Sequence, residues 1–435
     1  MKLPICLLFA TALTVSAQTP TPSPTLTGRW QVTAELFGSP RYLSLNFDQK
    51  GNALTGEFTG DKLTGTVSGA SVSFISKDTE GNTDAFTGKL EDGTLRGTCT
   101  EVDVTDPAHP LVFPMTATLI PPLEHPTPQR HDFTPTVFYR QFSPFNKPVL
   151  TVNPGDTIHT TTVDAGGSDE HSIQRVSGGN PETGPFYIKG ANPGDTLVVH
   201  IVHLKLNRDW AASDDGIVPR GLGPDLAAKS KDLGKTVRWH IDLAAGTASP
   251  VNSGDHVKTF AIPLHPMLGC MATATPLAMA PPGTGDSGFY GGNMDFNQVA
   301  EGATIYLPVT NPGALLYFGD GHAAQGDGEL NGNALETSMD VEVTVDVIPN
   351  KHIGDPRVET DDAIISMGLE GDLNEAFRSA TGNMADWLTT DYKLTPSEVA
   401  QVIGSSAEYH VSEVADRNAG MILKMKKSTL ETLTK

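Results

Sequence analysis

Between Leu26 and Ile120 apolar and polar residues alternate in short runs: GRWQVTAELF, RYLSLNF, ALTGEFTG, KLTGTVSG, SVSFISKD and AFTGKL, punctuated by glycine, asparagine and aspartate. Alternation with period two puts every second side chain on one face of a strand, and turn residues at this spacing pair neighbours antiparallel. The pattern predicts a small antiparallel β unit over residues 26–120, open or closed as a barrel. Its phrases ALTGEF, KLTGTV and AFTGKL suggest a repeated hairpin. Strands dominate again from Asn153 to Ile348, in TIHTTTVDA, TLVVHIVHL, VKTFAIPL, TIYLPVT, ALLYFG and SMDVEVTVDVI. In the last, Met339, Val341, Val343, Val345 and Val347 share one face and Asp340, Glu342, Thr344 and Asp346 the other, so one face is buried and one wet. NPGDT occurs at Asn153 and at Asn192, which either marks two related halves of a β-sandwich or one recurring turn chemistry.

The periodicity changes near the end. Leu373, Ala376, Phe377, Ala380, Met384, Trp387 and Leu388 recur at three- and four-residue steps, the apolar stripe of a helix. Thr395-Pro396-Ser397-Glu398 is a capping box with proline in the first turn, opening a second helix that ends near Gly404. Ser412 to Lys424 adds a final strand or closing turn. The expected fold is mainly β: a small antiparallel barrel or sheet domain, then a β-sandwich domain with C-terminal helices.

At 435 residues the chain exceeds one typical domain. Met1-Lys2, an apolar run and the small residues Val15-Ser16-Ala17 read as a signal peptide over residues 1–17. Its core is too short to span a bilayer, so a secreted or periplasmic protein without membrane insertion is expected. Residues 18–25 form a Pro/Thr-rich spacer, 26–120 the accessory β domain, 121–129 a Pro-rich linker, and 130–435 the main domain. The formal net charge of -21 excludes a nucleic-acid partner that would need a basic face. Homo-oligomers are compatible with such a chain. Cys99 and Cys270 fall in different domains and are read as unpaired.

Chemistry gathers in the glycine-rich stretch from Gly288 to Glu336, where Asp295, Asp320, His322, Asp327 and Glu329 stand among glycines that supply little core. Asp320 and His322, two apart after ALLYFG, share a face if the strand continues. With Asp295 and Asp164 they form the expected ligand set of a divalent metal, zinc first and calcium second. Glu329, with Asp327 behind it, is the expected proton carrier, Glu336 being equally available. Asn293 and Gln325 are the expected amide donors to substrate or oxyanion. GDSG at Gly285 lacks the glycine that should follow a trypsin-like nucleophile, and Cys270 reads as a buried apolar residue. His200 and His203 have an odd spacing on a strand and cannot readily share an ion. Arg208 is read as pairing with a carboxylate.

The ordered phrases GGNMD, LPV and GDGHAAQGDGE resemble the acetamidase/formamidase family, as do NPGDT, TTTVDAGG, TGPFYIKGANPGDTL, RDWA and PLHPMLGC upstream. The resemblance runs from about Asn153 to about Ile348 and includes Asp164, which is why that acid is preferred as a ligand. It implies hydrolysis of a short aliphatic amide, such as formamide or acetamide, to carboxylate and ammonia, with a metal-activated water. Two alternatives stand beside it: an exported hydrolase of a larger or cyclic amide, and a non-catalytic calcium-binding β protein.

Overall fold

The computed structural model describes residues 25–252 and 254–433; the signal segment and nearly all of the spacer lie outside them. Among the described residues, eight strands from Gly28–Leu36 to Leu111–Leu119 pair antiparallel in sequence order. The first strand closes on the last through Trp30↔Leu119 and Ala34↔Met115, so the sheet is a barrel without a free edge. The period-two pattern fills its interior with Trp30, Val32, Leu45, Phe47, Phe74, Phe86 and Met115. Phe74 stacks on Phe86 at 5.3 Å and meets Phe47 edge-on at 5.6 Å. The repeated glycines have a steric cause. Gly88 faces Gly97 across two strands, and a Cβ on Gly97 would sit 2.2 Å from the Thr87 carbonyl oxygen.

The second unit is built from two sheets. One, of eleven strands, includes Thr183–Ile188, Trp210–Asp214, Met267–Ala272, Leu316–His322 and Glu336–Thr337; the other, of nine, includes Thr157–Thr161, Thr196–Leu206, Thr304–Pro308, Met339–Ile348 and Ala363–Glu370. Phe186, Leu268, Met271 and Phe318 from the first sheet and Ile158, Val199, Ile305, Val343 and Ile365 from the second make one continuous core. In Met339–Ile348 burial alternates residue by residue, with the valines inside.

The helix Leu373–Asp391 is capped by Asp372, whose carboxylate accepts from the Asn374 and Glu375 backbone N–H groups. Its Ala380, Met384, Trp387 and Leu388 pack on Ile364 and Leu423. Phe377 departs from the predicted stripe: it is half exposed and stacks on Tyr409 at 4.5 Å. The predicted capping box is formed by Thr395 and Glu398, and that helix runs Pro396–Ser406. VKTFAIPL forms only a short 3-10 turn, Asp255–Val257, and the two-residue strand Ile262–Pro263, because it lies at a sheet edge with a single partner. No helix among the described residues is long and apolar enough to cross a membrane.

Both NPGDT segments fold as the same turn. Asp156 accepts from the Asn153 N–H at 2.8 Å and Asp195 from the Asn192 N–H at 2.9 Å, with the intervening glycine at φ +89° and +88°. The second turn also docks the barrel, because Asp195 pairs with Arg29 on the first barrel strand. Cys99, in the barrel core, and Cys270, in the second unit, are both buried and free.

Candidate active site

The site is assembled at the end of the strand Leu316–His322. Its neighbour Met267–Ala272 pairs Leu268 with Gly321 and Cys270 with Gly319, leaving Gly269 opposite Asp320. A Cβ on Gly269 would lie 2.5 Å from Asp295 Oδ1, 2.6 Å from Asp320 Oδ2 and 3.0 Å from His322 Cε1. Only glycine permits these three side chains to converge there. Its carbonyl in turn accepts from the Met294 and Asp295 N–H groups and fixes where Asp295 enters. Asp295, Asp320 and Glu329 have φ of 40°, 53° and 45°, left-handed backbone that costs of order 1–3 kcal/mol per residue. Three strained acids in one cluster point to a function that the surrounding structure supports.

His322 is the hub. Its Nε2 lies 3.1 Å from Glu336 Oε1 and 3.4 Å from Asp320 Oδ2, and these three make one candidate ligand group; Asp295, whose Oδ1 is 3.9 Å from His322 Nδ1, and Glu329 make a second group with the same histidine. Its Nδ1 is 2.9 Å from Gln325 Oε1. The Gln325 amide nitrogen donates to the Asp295 and Ser412 carbonyls, so its oxygen must accept and His322 Nδ1 must carry a proton. Nε2 is therefore the atom turned toward Glu336 and Asp320. Short distances notwithstanding, Nε2 is not aligned for a hydrogen bond, and Asp295 Oδ1, Asp320 Oδ1 and Glu336 Oε2 also lack hydrogen-bond partners. Buried polar groups in native proteins are normally satisfied. An imidazole nitrogen and carboxylate oxygens left converging and unsatisfied are the donor set of a divalent cation, and the residues fit one.

Electrostatics agree with the geometry. Burial raises Glu336 to about 8 against the opposing effect of His322, and Glu329 to about 7 in the same way. Burial, then the Glu329 charge, push Asp295 well above the usual carboxylate range. For His322 burial favours the neutral ring, but the facing Glu336 and Asp320 charges overcome it and hold its pKa well above the ordinary value. Too many acids share too little positive charge, and protons or a cation must make up the difference.

The structure brings together Asp295, Asp320, His322, Glu329 and Glu336, but not every expected residue joins them. Asp164 is held by Arg208 Nη2 at 2.7 Å and by the Ser168 N–H at 2.8 Å, so it stands beside the cluster in an ion pair instead of in the ligand set. Asp327 turns to the surface and meets His410 at 3.2 Å and Asn297 at 3.0 Å, because Gly328 reverses the chain before Glu329 enters the interior. Asn293 donates to Asp295 and Asp416 at 2.5 and 2.6 Å and accepts from Asn180, so its amide is spent on positioning, as is that of Gln325. Neither has a donor left for substrate.

Sequence reasoning missed several participants. Asn180 bridges Asn293 and Asp320 Oδ2 at 3.0 and 3.2 Å, and Asp416 and Glu413 arrive from the C-terminal segment with pKa values raised, chiefly by burial, to about 6 and about 8. Glu182 is fully buried with both carboxyl oxygens unpartnered, fitted into the space a side chain at Gly319 would take. Gly269, which makes room for the cluster, left a trace in the sequence as part of PLHPMLGC. A cleft of about 450 Å³ leads to the cluster, lined by Asp164, Asn180, Trp210, Asp214, Asn333 and Glu336 among others.

Fold and site thus define a mainly β protein with a strained, buried cluster of one imidazole and several carboxylates at a cleft, a donor set that could hold a cation. The model of the acetamidase/formamidase family matches residues 282–419, which hold all five clustered residues. A Schizosaccharomyces pombe protein named "Putative formamidase C869.04" is 27% identical over 216 residues, 39% of this chain and 52% of that protein, so the match spans about half the length of this curated relative. Among solved structures, an acetamidase from Bacillus halodurans is 28% identical with a TM-score of 0.60, covering 70% of this chain and 100% of that one. An acetamidase from Yersinia enterocolitica is 26% identical with a TM-score of 0.61, covering 71% and 95%. The chain is thus similar to the acetamidase/formamidase family in sequence over residues 282–419 and in fold over about 70% of its length.

Proposed function

We propose that this protein hydrolyses the C–N bond of a small amide to a carboxylate and ammonia, using a divalent ion held by Asp320, His322 and Glu336. The observation that carries the reading is the set of unsatisfied buried atoms around His322 Nε2 in a chain similar to this family. Zinc is favoured because a nitrogen ligand and few carboxylates suit it, whereas calcium takes six to eight oxygens. When bound, such an ion would polarise the amide carbonyl and make water acidic enough to attack.

The chain's own groups handle position and protons. Gln325 fixes the His322 tautomer, and Asn293 and Asn180 aim Asp295 and Asp320. Glu329, raised to about 7, is poised to take a proton from water and to give one to the departing nitrogen near neutral pH. Glu336 lies 3.1 Å from Nε2, which supports its place beside the ion and proton transfer by Glu329. Asp327 and Glu329 face opposite ways, so the surface loop does not gather the oxygens that the calcium-binding alternative needs. The leader read in residues 1–17 supports action outside the cytoplasm, and N-terminal sequencing of the natural product beginning at Gln18 checks it.

Ammonia release from formamide, acetamide and propionamide, measured with elemental analysis before chelation, after it and after zinc is restored, tests the proposal. Activity should vanish and return with the ion. Undiminished hydrolysis by metal-free protein, or none by the zinc-loaded form, overturns it.

A further inference from the structure

The cleft is large and polar for formamide or acetamide. It ends on Glu336, the cluster member turned toward it, and its floor is the strand Trp210–Asp214. Ala212 pairs with Glu336 in the sheet, so the two side chains share a face. Trp210, Ala212 and Asp214 alternate onto that face, each half-buried, while Ala211 and Ser213 point into the interior. Two residues along an extended strand place Asp214 about 7 Å beyond the position opposite Glu336.

Trp210 offers no stacking surface. Arg208 covers one face of its ring at 3.6 Å and Arg238 approaches it at 3.9 Å, while its N–H donates to Ser172 at 3.2 Å. Arg208 is already committed to Asp164. The remaining wall mixes alanine and glycine with the hydrogen-bonding side chains of Ser168, Gln174, Asn180, Thr236 and Asn333.

Asp214 differs from the rest of this lining. Asn333 Nδ2 donates to its Oδ2 at 2.6 Å and Asn331 Nδ2 to its main-chain oxygen at 3.3 Å, so two asparagines of the glycine-rich stretch aim it. Among the described residues it has no basic partner within ion-pair distance. A carboxylate held in place, half-buried and without a cation, is a receptor for one brought by the ligand.

We infer that Asp214 makes the cleft selective for primary amides that carry an ammonium group two or three bonds from the amide carbonyl, as in small amino-acid amides. The inference rests on the hydrolase reading and specifies its substrate class. Glycinamide and propionamide have nearly the same shape and differ in the charged amino group, so their kcat/KM ratio isolates the interaction. In the zinc-loaded enzyme the ratio should favour glycinamide by about tenfold or more, fall about tenfold in Asp214→Asn and recover in part in Asp214→Glu. A ratio at or below one in the native enzyme, or a ratio unmoved by Asp214→Asn, overturns the assignment while leaving the hydrolase reading standing. Failure to hydrolyse either amide, or acetamide, overturns both.

Discussion

The barrel and the sandwich unit bury opposite kinds of chemistry. The barrel core is built from aromatic and aliphatic side chains packed from alternating strands, with no fully buried carboxylate among its described residues. The sandwich unit has a larger apolar core and yet buries Glu182, Asp295, Asp320, His322, Glu329, Glu336 and Glu413. Burying apolar area stabilises a fold by roughly 25 cal/mol per Å², whereas burying an unpaired charge opposes folding. One unit spends its interior on stability; the other gives up stability to hold groups that an ion, a proton or a substrate can satisfy.

Substitutions should therefore separate the two. The largest effect is expected from His322→Ala, which removes the nitrogen on which the cluster converges. Amide hydrolysis and stoichiometric zinc should both be lost, the rate by roughly a thousandfold or more, with the circular dichroism spectrum unchanged; a fully active variant would refute the site. Phe86→Ala in the barrel should instead cost about 3–5 kcal/mol of stability, read by urea unfolding, and leave kcat near the native value. If it abolished catalysis in folded protein, the division of labour would fail.

Smaller is Gln325→Leu. It removes the hydrogen-bond acceptor of His322 Nδ1, and zinc affinity measured by competition with a chelator should fall about 10–100-fold without loss of fold. Smallest per pH unit is the effect of pH on the metal-free protein. Glu329 and Glu336, raised to about 7 and about 8, keep protons in the folded state that the unfolded chain releases near 4.5. Their contribution is fully present below that value and is lost as pH rises through the folded values, roughly 1.4 kcal/mol per pH unit for each group in its window. His322, also raised, acts in the same direction. Unfolding of chelated protein at pH 5, 6, 7 and 8 should show a steady fall that zinc flattens; stability rising over this range would contradict the shared-charge account.

Much of the fold was legible because it depends on near neighbours. Alternation gave the barrel strands and Met339–Ile348, and Thr395 with Glu398 gave a helix start, since a strand face and a capping box are each defined within a few residues. VKTFAIPL was misread because its apolar residues had no second strand to cover them. In the site, the spacing of Asp320 and His322 two apart pointed to the face they share, and acids set among glycines drew notice to Asp295 and Glu329. Asp164 was misassigned because nothing local shows that Arg208, more than forty residues on, takes up its carboxylate.

By itself, then, the sequence determined the β pattern, the two helices, the family resemblance and the stretch where acids gather among glycines, because periodicity, caps and ordered motifs are properties of adjacent residues. Tertiary structure alone decided which acids meet. Gly269 opens the space, Asn180, Asn293 and Gln325 aim the ligands, Asp327 turns out as Glu329 turns in, and Asp416 and Glu413 arrive from the far end of the chain. Convergence of this kind depends on distances in space and on the exclusion of water, and neither is set by the order of residues along the chain.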